Sequence, residues 1–193
     1  METNGKIVKT ALLIMDVQPA ILQMLGDGAA PLVHSLQTAI KAARAANLPV
    51  IYVVVGFRKG FPEIGEGSSN KSFGALKNSK MPGLEDPTVD PAVAPQPGDM
   101  VVTKRRVSAF AGSDLEVILR GHRIEHLVLS GIATSGVVLS TLREASDRDY
   151  QLTVLSDACA DREEDVQQVL MTKVFPRQAE VLTVAEWSAA LGK

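Results

Sequence analysis

The sequence predicts an α/β fold, an open sheet of parallel strands wrapped by helices, and three observations predict it. Short apolar runs recur along the chain. They are continuous rather than alternating, the pattern of strands covered on both faces. Helix-length amphipathic segments separate them, and strand–helix alternation of this kind closes through right-handed crossovers.

Taken in order, ALLIMD (11–16) is an apolar run ending in an acid, and residues 31–46 carry Leu32, Leu36, Ile40 and Ala43 on one helical face. PVIYVVV (49–55) is rich in β-branched residues. The stretch 56–98 is rich in Gly, Pro, Ser and Asn and too long for a plain connection, so it reads as a binding loop or lid, or as an ornamental insertion. DMVVTK (99–104) ends in a base. Residues 114–121 follow Ser113 with Glu116 three positions on, a capping-box pattern. HLVLSG (126–131) runs into a helix over 135–148. LTVLSD (152–157) leads to a helix over 162–175, with Asp161 and Glu164 at its start and Val166, Val169, Leu170 and Val174 as an apolar stripe. AEVLTV (179–184) completes the set. No repeat, linker or second domain interrupts this order, and 193 residues suit one domain, 1–193.

Composition narrows the function. A net charge of −2 with no basic excess argues against nucleic acid or an anionic membrane as partner. The N-terminal METNGKIVK holds no apolar run fit for a signal peptide, and ALLIMDVQPAIL is broken by Asp16 and Pro19 before it could span a bilayer. One cysteine permits no internal disulfide. A cytosolic protein acting on a small molecule is expected.

In open α/β sheets, ligands bind beyond the carboxyl ends of the strands. Three strands here end suggestively: the first at Asp16, the third at Lys104, the fourth at the turn of SGIATSGVVLSTLREA (130–145). If they are neighbours, a carboxylate, an ammonium and a helix N-terminus with free N–H groups meet at one pocket. Each has a plainer reading: Asp16 as a cap for the turn at Pro19, Lys104 as part of a solvated Lys104-Arg105-Arg106 cluster, Ser135 and Thr134 as N-capping residues.

ALLIMDVQ, KRRVSAF and GIATSGVVLSTLREA, in this order and spacing, resemble the isochorismatase-like hydrolases, also called the cysteine hydrolase superfamily. The resemblance covers about residues 11–187 and implies a three-layer α/β/α domain with a six-stranded parallel sheet, and self-association. It implies a catalytic Asp at Asp16 and a catalytic Lys at Lys104. The family's Cys, six residues past the glycine of GIAT, falls on Val137, a side chain that can attack nothing. A cis peptide between Ile132 and Ala133 is implied too, with the backbone N–H groups of Ala133 and Val137 forming an oxyanion hole.

Without the thiol, the amidase route of the family, in which sulfur attacks a carbonyl, is closed. The vinyl-ether hydrolases of the family need no nucleophile there: their Asp acts as general acid and water adds to the resulting cation. Val137 matches cysteine in bulk, so it keeps the pocket narrow and its floor apolar. Two readings stay open, a small-molecule hydrolase working through Asp16 and Lys104, and an inactive or metabolite-binding relative on the same scaffold. Cys159 reads as a buried, inert thiol, and Ser140 as a hydroxyl with no His to activate it. His34, His122 and His126 form no ligand-spaced motif, so no metal and no cofactor is expected. Gln18, Phe57, Arg58, Phe61, Ile132 and Thr134 are the candidates for binding substrate. Gln18 would orient Asp16 or a substrate polar group, and Arg58 would pair with a substrate carboxylate or remain a solvated loop charge.

Overall fold

A computed structural model of the chain describes residues 9–66, 71–79 and 82–191. The N-terminal segment read above for a signal peptide lies almost wholly outside the described residues, as do parts of the 56–98 stretch. Among the described residues no helix is long and apolar enough to cross a membrane.

Six parallel strands form one sheet: β1 (Thr10–Met15), β2 (Val50–Val55), β3 (Met100–Lys104), β4 (His126–Ile132), β5 (Gln151–Ala160) and β6 (Glu180–Leu182). Their order is β3-β2-β1-β4-β5-β6, with every pairing parallel. The continuous apolar runs have the expected cause. In β1, Ala11, Leu13 and Met15 point into one core, while Leu12 and Ile14 point into the other. The first core is completed by α4 (Leu115–His122), α5 (Leu139–Ser146) and the segment 164–175, beginning with α6 (Glu164–Val169). The second is completed by α2 (Ala29–Ala45), which follows the short α1 (Pro19–Leu22), and by α7 (Val184–Leu191). Each fully buried Leu or Ile in these layers contributes about 1.5–3 kcal/mol relative to exposure, so a one-residue register slip would destroy both cores at once.

The long stretch after β2 is not featureless. It carries α3 (Lys71–Ser79) and a 3₁₀ turn at Pro91–Val93, capped by the Asp90 carboxylate on the Ala92 N–H. Phe57, Ile64, Phe73 and Leu84 cluster with Val55 as a third, smaller core over the end of β2.

Several expected local features differ. The capping box at Ser113 does not form. The Ser113 hydroxyl donates to the Ala109 carbonyl (2.6 Å), and Glu116 is drawn off by Arg120 and Arg148. Asp161 does not cap the helix that follows it; Glu163 occupies that position, and Asp161 serves the β4 turn instead. Val169 is about half exposed rather than part of the apolar stripe. β5 runs to Ala160, past the predicted end, through an irregularity opposite Leu129–Gly131.

Candidate active site

The sheet order reverses at β1, which lies between β2 and β4. A crevice opens at such a switch point, where the connections leaving neighbouring strands run to opposite faces of the sheet. Asp16 follows β1 immediately. Its backbone adopts the left-handed conformation (φ 57°), tolerable for Asp, with its N–H donating to the Val53 carbonyl and its carbonyl accepting from Gln18. The next strand supplies the turn. Gly131 has φ 132°, and a Cβ there would lie 2.0 Å from the Met15 carbonyl oxygen. Only glycine lets β4 approach β1 this closely, and that approach puts the turn beside Asp16.

The turn itself is one π-helical turn, Thr134–Val138, leading into α5. The Ile132–Ala133 peptide is cis. The Ala133 carbonyl accepts from the Gly136 and Val138 amides, and the Ser135 amide donates to Asp161 (2.7 Å). The KRRVSAF segment is tied to the same helix, because the Thr141 hydroxyl accepts from the Ala109 amide (2.9 Å).

Lys104, at the end of β3, reaches across β2. Its ammonium lies 2.9 Å from Asp16 Oδ2 and donates to the Arg106 and Val107 carbonyls at 3.0 Å each. All three of its N–H bonds are therefore used inside the protein. Asp16 Oδ1 is buried and has no hydrogen-bond partner. Burial pushes the Asp16 carboxyl above the ordinary carboxylate range, against the opposing pull of the Lys104 charge and of its hydrogen bonds.

These groups border one cavity of about 190 Å³, lined by Asp16, Lys104, Ile132, Ala133, Gly136 and Val137. Val137 is buried, so hydrocarbon occupies that part of the wall. The remaining wall is Ile21, Met24, Val55, Phe73, Leu84 and Val107. Asp16, Lys104, Val137, Ala133 and Ile132 are thus brought together. Thr134 is buried beside them with its hydroxyl unpartnered.

Other expected positions lie elsewhere. Gln18 is spent on the backbone: its Nε2 donates to the Val55 carbonyl (3.2 Å) and its Oε1 accepts from the Val55 amide (2.8 Å). It pins the end of β2 and does not orient the Asp16 carboxyl. Phe57 and Phe61 pack against one another, centroids 5.5 Å apart and rings tilted by 43°, and neither lines the cavity. Arg58 is 72% exposed and paired with Glu63 at 2.9 Å, the solvated alternative. Phe73 and Leu84 were missed, although large apolar residues in a Gly- and Ser-rich stretch are a usable signal.

Cys159 is buried among apolar residues, its thiol pushed up to about 12 by burial, and it is no nucleophile. His126 is held on both ring nitrogens by Thr10 and Thr153, while His34 and His122 are exposed. Among the described residues no three His, Cys, Asp or Glu side chains group as a metal ion would require.

Comparison with known proteins agrees with this architecture. The family model described as "Isochorismatase domain" matches residues 10–186. The ureidoacrylate amidohydrolase RutB of Caulobacter vibrioides is 34% identical over 207 aligned positions, covering 95% of this chain and 92% of that one. Among solved structures, an isochorismatase family protein from Burkholderia thailandensis is 33% identical, covers 96% of both chains and superposes with a TM-score of 0.83. The N-carbamoylsarcosine amidase of Thermoplasma acidophilum is 26% identical, covering 92% of this chain and 97% of its own, with a TM-score of 0.75.

Proposed function

Since the chain belongs to the isochorismatase family, we propose that it hydrolyses a small molecule by proton transfer through Asp16, with no covalent sulfur intermediate. One observation carries this reading. Asp16 lines a largely apolar cavity, and its carboxyl has one oxygen on Lys104 and the other buried without a hydrogen-bond partner. The oxygen held by Lys104 cannot readily take a proton; Oδ1 can. Burial, which raises the carboxyl, keeps a protonated fraction available nearer neutral pH.

In the proposed cycle, on an enol ether, Oδ1 gives its proton to the enol carbon, water adds to the oxocarbenium carbon so formed while the carboxylate takes a proton back from it, and the resulting hemiketal breaks its C–O bond, its hydroxyl proton passing to the departing alcohol as the carbonyl forms. Lys104 holds the carboxylate through the cycle, and on a ureido substrate the amides of Ala133 and Val137 would polarise the carbonyl oxygen as water adds and the C–N bond breaks, the leaving nitrogen taking the proton. We read Val137 as standing where thiol members of the family carry their cysteine. Two substrate groups suit this chemistry. One is the enol ether of the vinyl-ether hydrolases. The other is the ureido group named in ureidoacrylate, on which the Caulobacter relative acts by its name.

The test is turnover of a panel of enol ethers and ureido acids by the purified protein. Asp16→Asn should lose about 10²–10⁴ of the rate while Val137→Ala keeps most of it, with melting curves reporting that both fold. Iodoacetamide should leave wild-type turnover unchanged, since Cys159 is sealed. Undiminished turnover in Asp16→Asn would refute the assignment.

A metabolite-binding relative is the second reading, favoured by Lys104, whose donors are all satisfied within the protein. It predicts saturable binding by calorimetry with no turnover of the bound compound.

A further inference from the structure

We infer that the substrate carries an uncharged, apolar arm, and that this arm enters a second chamber beyond Ile21 and Leu84. This rests on the hydrolase reading above and names what else the substrate brings to the same site. Size is the first part of the case. The cavity beside Asp16 holds about 190 Å³, and a neighbouring one holds about 180 Å³. Either alone falls short of the roughly 300–1,000 Å³ usual for a small-molecule site, whereas the two together reach it. Ile21 and Leu84 border both. Two aliphatic side chains thus stand between the hydrolytic corner and the second space.

The second chamber is held open by main-chain bonds on both sides. One wall is the α1 segment, with Pro19, Ala20 and Gln23; the other is the loop at Gly83 and Thr88. Gln18 fixes the first wall. Its carbonyl accepts from the Ile21 and Leu22 amides (3.0 and 2.9 Å), and its side chain grips the Val55 backbone. The loop wall is fixed at three points. The Leu84 carbonyl accepts from the Phe57 amide (2.7 Å), and the Asp90 amide donates to the Val17 carbonyl (2.8 Å). Pro87 lies so close over Gly56 that a Cβ there would come within 2.4 Å of it. The chemistry of the chamber is plain. Among the described residues lining it none is charged. Gln23 and Thr88 are exposed and stand on the solvent side, while Gln18 has turned its amide to the main chain. An ion entering would lose its water and meet no counter-charge, which is costly. A methylene chain leaving water for Ile21, Leu84, Pro19 and Ala20 gains at every carbon. The chamber therefore selects hydrocarbon.

The test is binding, read apart from turnover, with the N-alkylureas from N-propylurea to N-hexylurea as probes. Isothermal calorimetry on wild type should show affinity rising about three- to fourfold per methylene, roughly thirtyfold from propyl to hexyl. 4-Ureidobutyrate ends in a carboxylate where N-butylurea ends in methyl, and it should bind about tenfold or more weakly than that urea. Ala20→Phe and Thr88→Trp narrow the chamber from opposite walls, and each should cut the hexyl-to-propyl affinity ratio about tenfold. Melting curves report folding; Thr88 is exposed, and substitution there leaves the fold standing. A wild-type series flat from propyl to hexyl overturns the inference. So do a wild type that binds none of these ureas, a ratio unchanged in the folded variants, and an acid bound as tightly as its alkyl counterpart. Turnover lost in Asp16→Asn beside a flat series sinks this inference alone. A rising series that the variants flatten, with no turnover of any compound, sinks the hydrolase reading instead.

Discussion

Two ion pairs stand a short way apart on this molecule, and they behave in opposite ways. Lys104–Asp16 closes at 2.9 Å with both side chains more than nine-tenths buried; Arg58–Glu63 closes at the same distance with the arginine 72% exposed. The first is built into strand tips and braced by main-chain carbonyls. The second lies on the segment after β2, near Gly60 and Phe61, both at positive φ. Equal distances thus conceal unequal consequences. A buried pair holds two charges that cannot survive separately, whereas an exposed pair trades contact for water at little gain.

The sharpest way to break the corner is Gly131→Ala. The added Cβ would meet the Met15 carbonyl at 2.0 Å in a conformation L-residues avoid, so a loss on the order of 4 kcal/mol or more is expected in chemical denaturation. Gly60→Ala, with nothing within 4 Å, meets no such clash and suffers only the strain of its φ of 79°. Next comes Lys104→Met, which strands Asp16 without its partner; about 3–5 kcal/mol should be lost at neutral pH.

The two carboxylates should also titrate with opposite signs. Burial raises Asp16 above its ordinary 3.8, so the folded state binds that proton more tightly than the unfolded one. Its contribution is fully present below 3.8 and is lost as pH rises through the higher folded value. At Glu63 burial pulls upward, but hydrogen bonds from its own and the Arg58 amides, with the charges of Arg58 and Arg105, hold the carboxyl below its ordinary 4.5. That contribution is present above 4.5 and is lost as pH falls through the lower folded value. Denaturation across pH should show wild type losing stability relative to Asp16→Asn as pH rises, and relative to Glu63→Gln as pH falls. The smallest effect is Arg58→Ala, at most about 1 kcal/mol; a larger loss would mean the rim is more rigid than its exposure implies.

The same contrast decides what could be read without coordinates. The six strands and the meeting of Asp16 with Lys104 were legible, because β-branched and leucine-rich runs buried on two faces leave a continuous signal and strand ends converge by topology. The Ile132–Ala133 position and the seat of Val137 came from family likeness, not from local physics. The rim was not legible. Arg58 stood open between a carboxylate partner and a solvated loop charge, and the turn at Gly60 delivers it to Glu63, the solvated alternative. Gln18 was read as a polar group for the site because it is near Asp16 in sequence, yet the open end of β2 claims its amide. Asp161 looked like a helix cap, and the unmet amide of Ser135 on another element took it. For Gln18 and Asp161 a short-range preference lost to a backbone group that sequence proximity does not reveal.

Hydrocarbon at position 137 has one further consequence. Thiol enzymes are silenced when peroxide or an electrophile caps their sulfur, and here Cys159 is sealed against Leu129 in the core. The sulfur-bearing residue lining this cavity among the described residues is Met24, about half exposed, and oxidation of a thioether is one that reductases can reverse. A cell under oxidative stress would find nothing at this corner to switch off irreversibly.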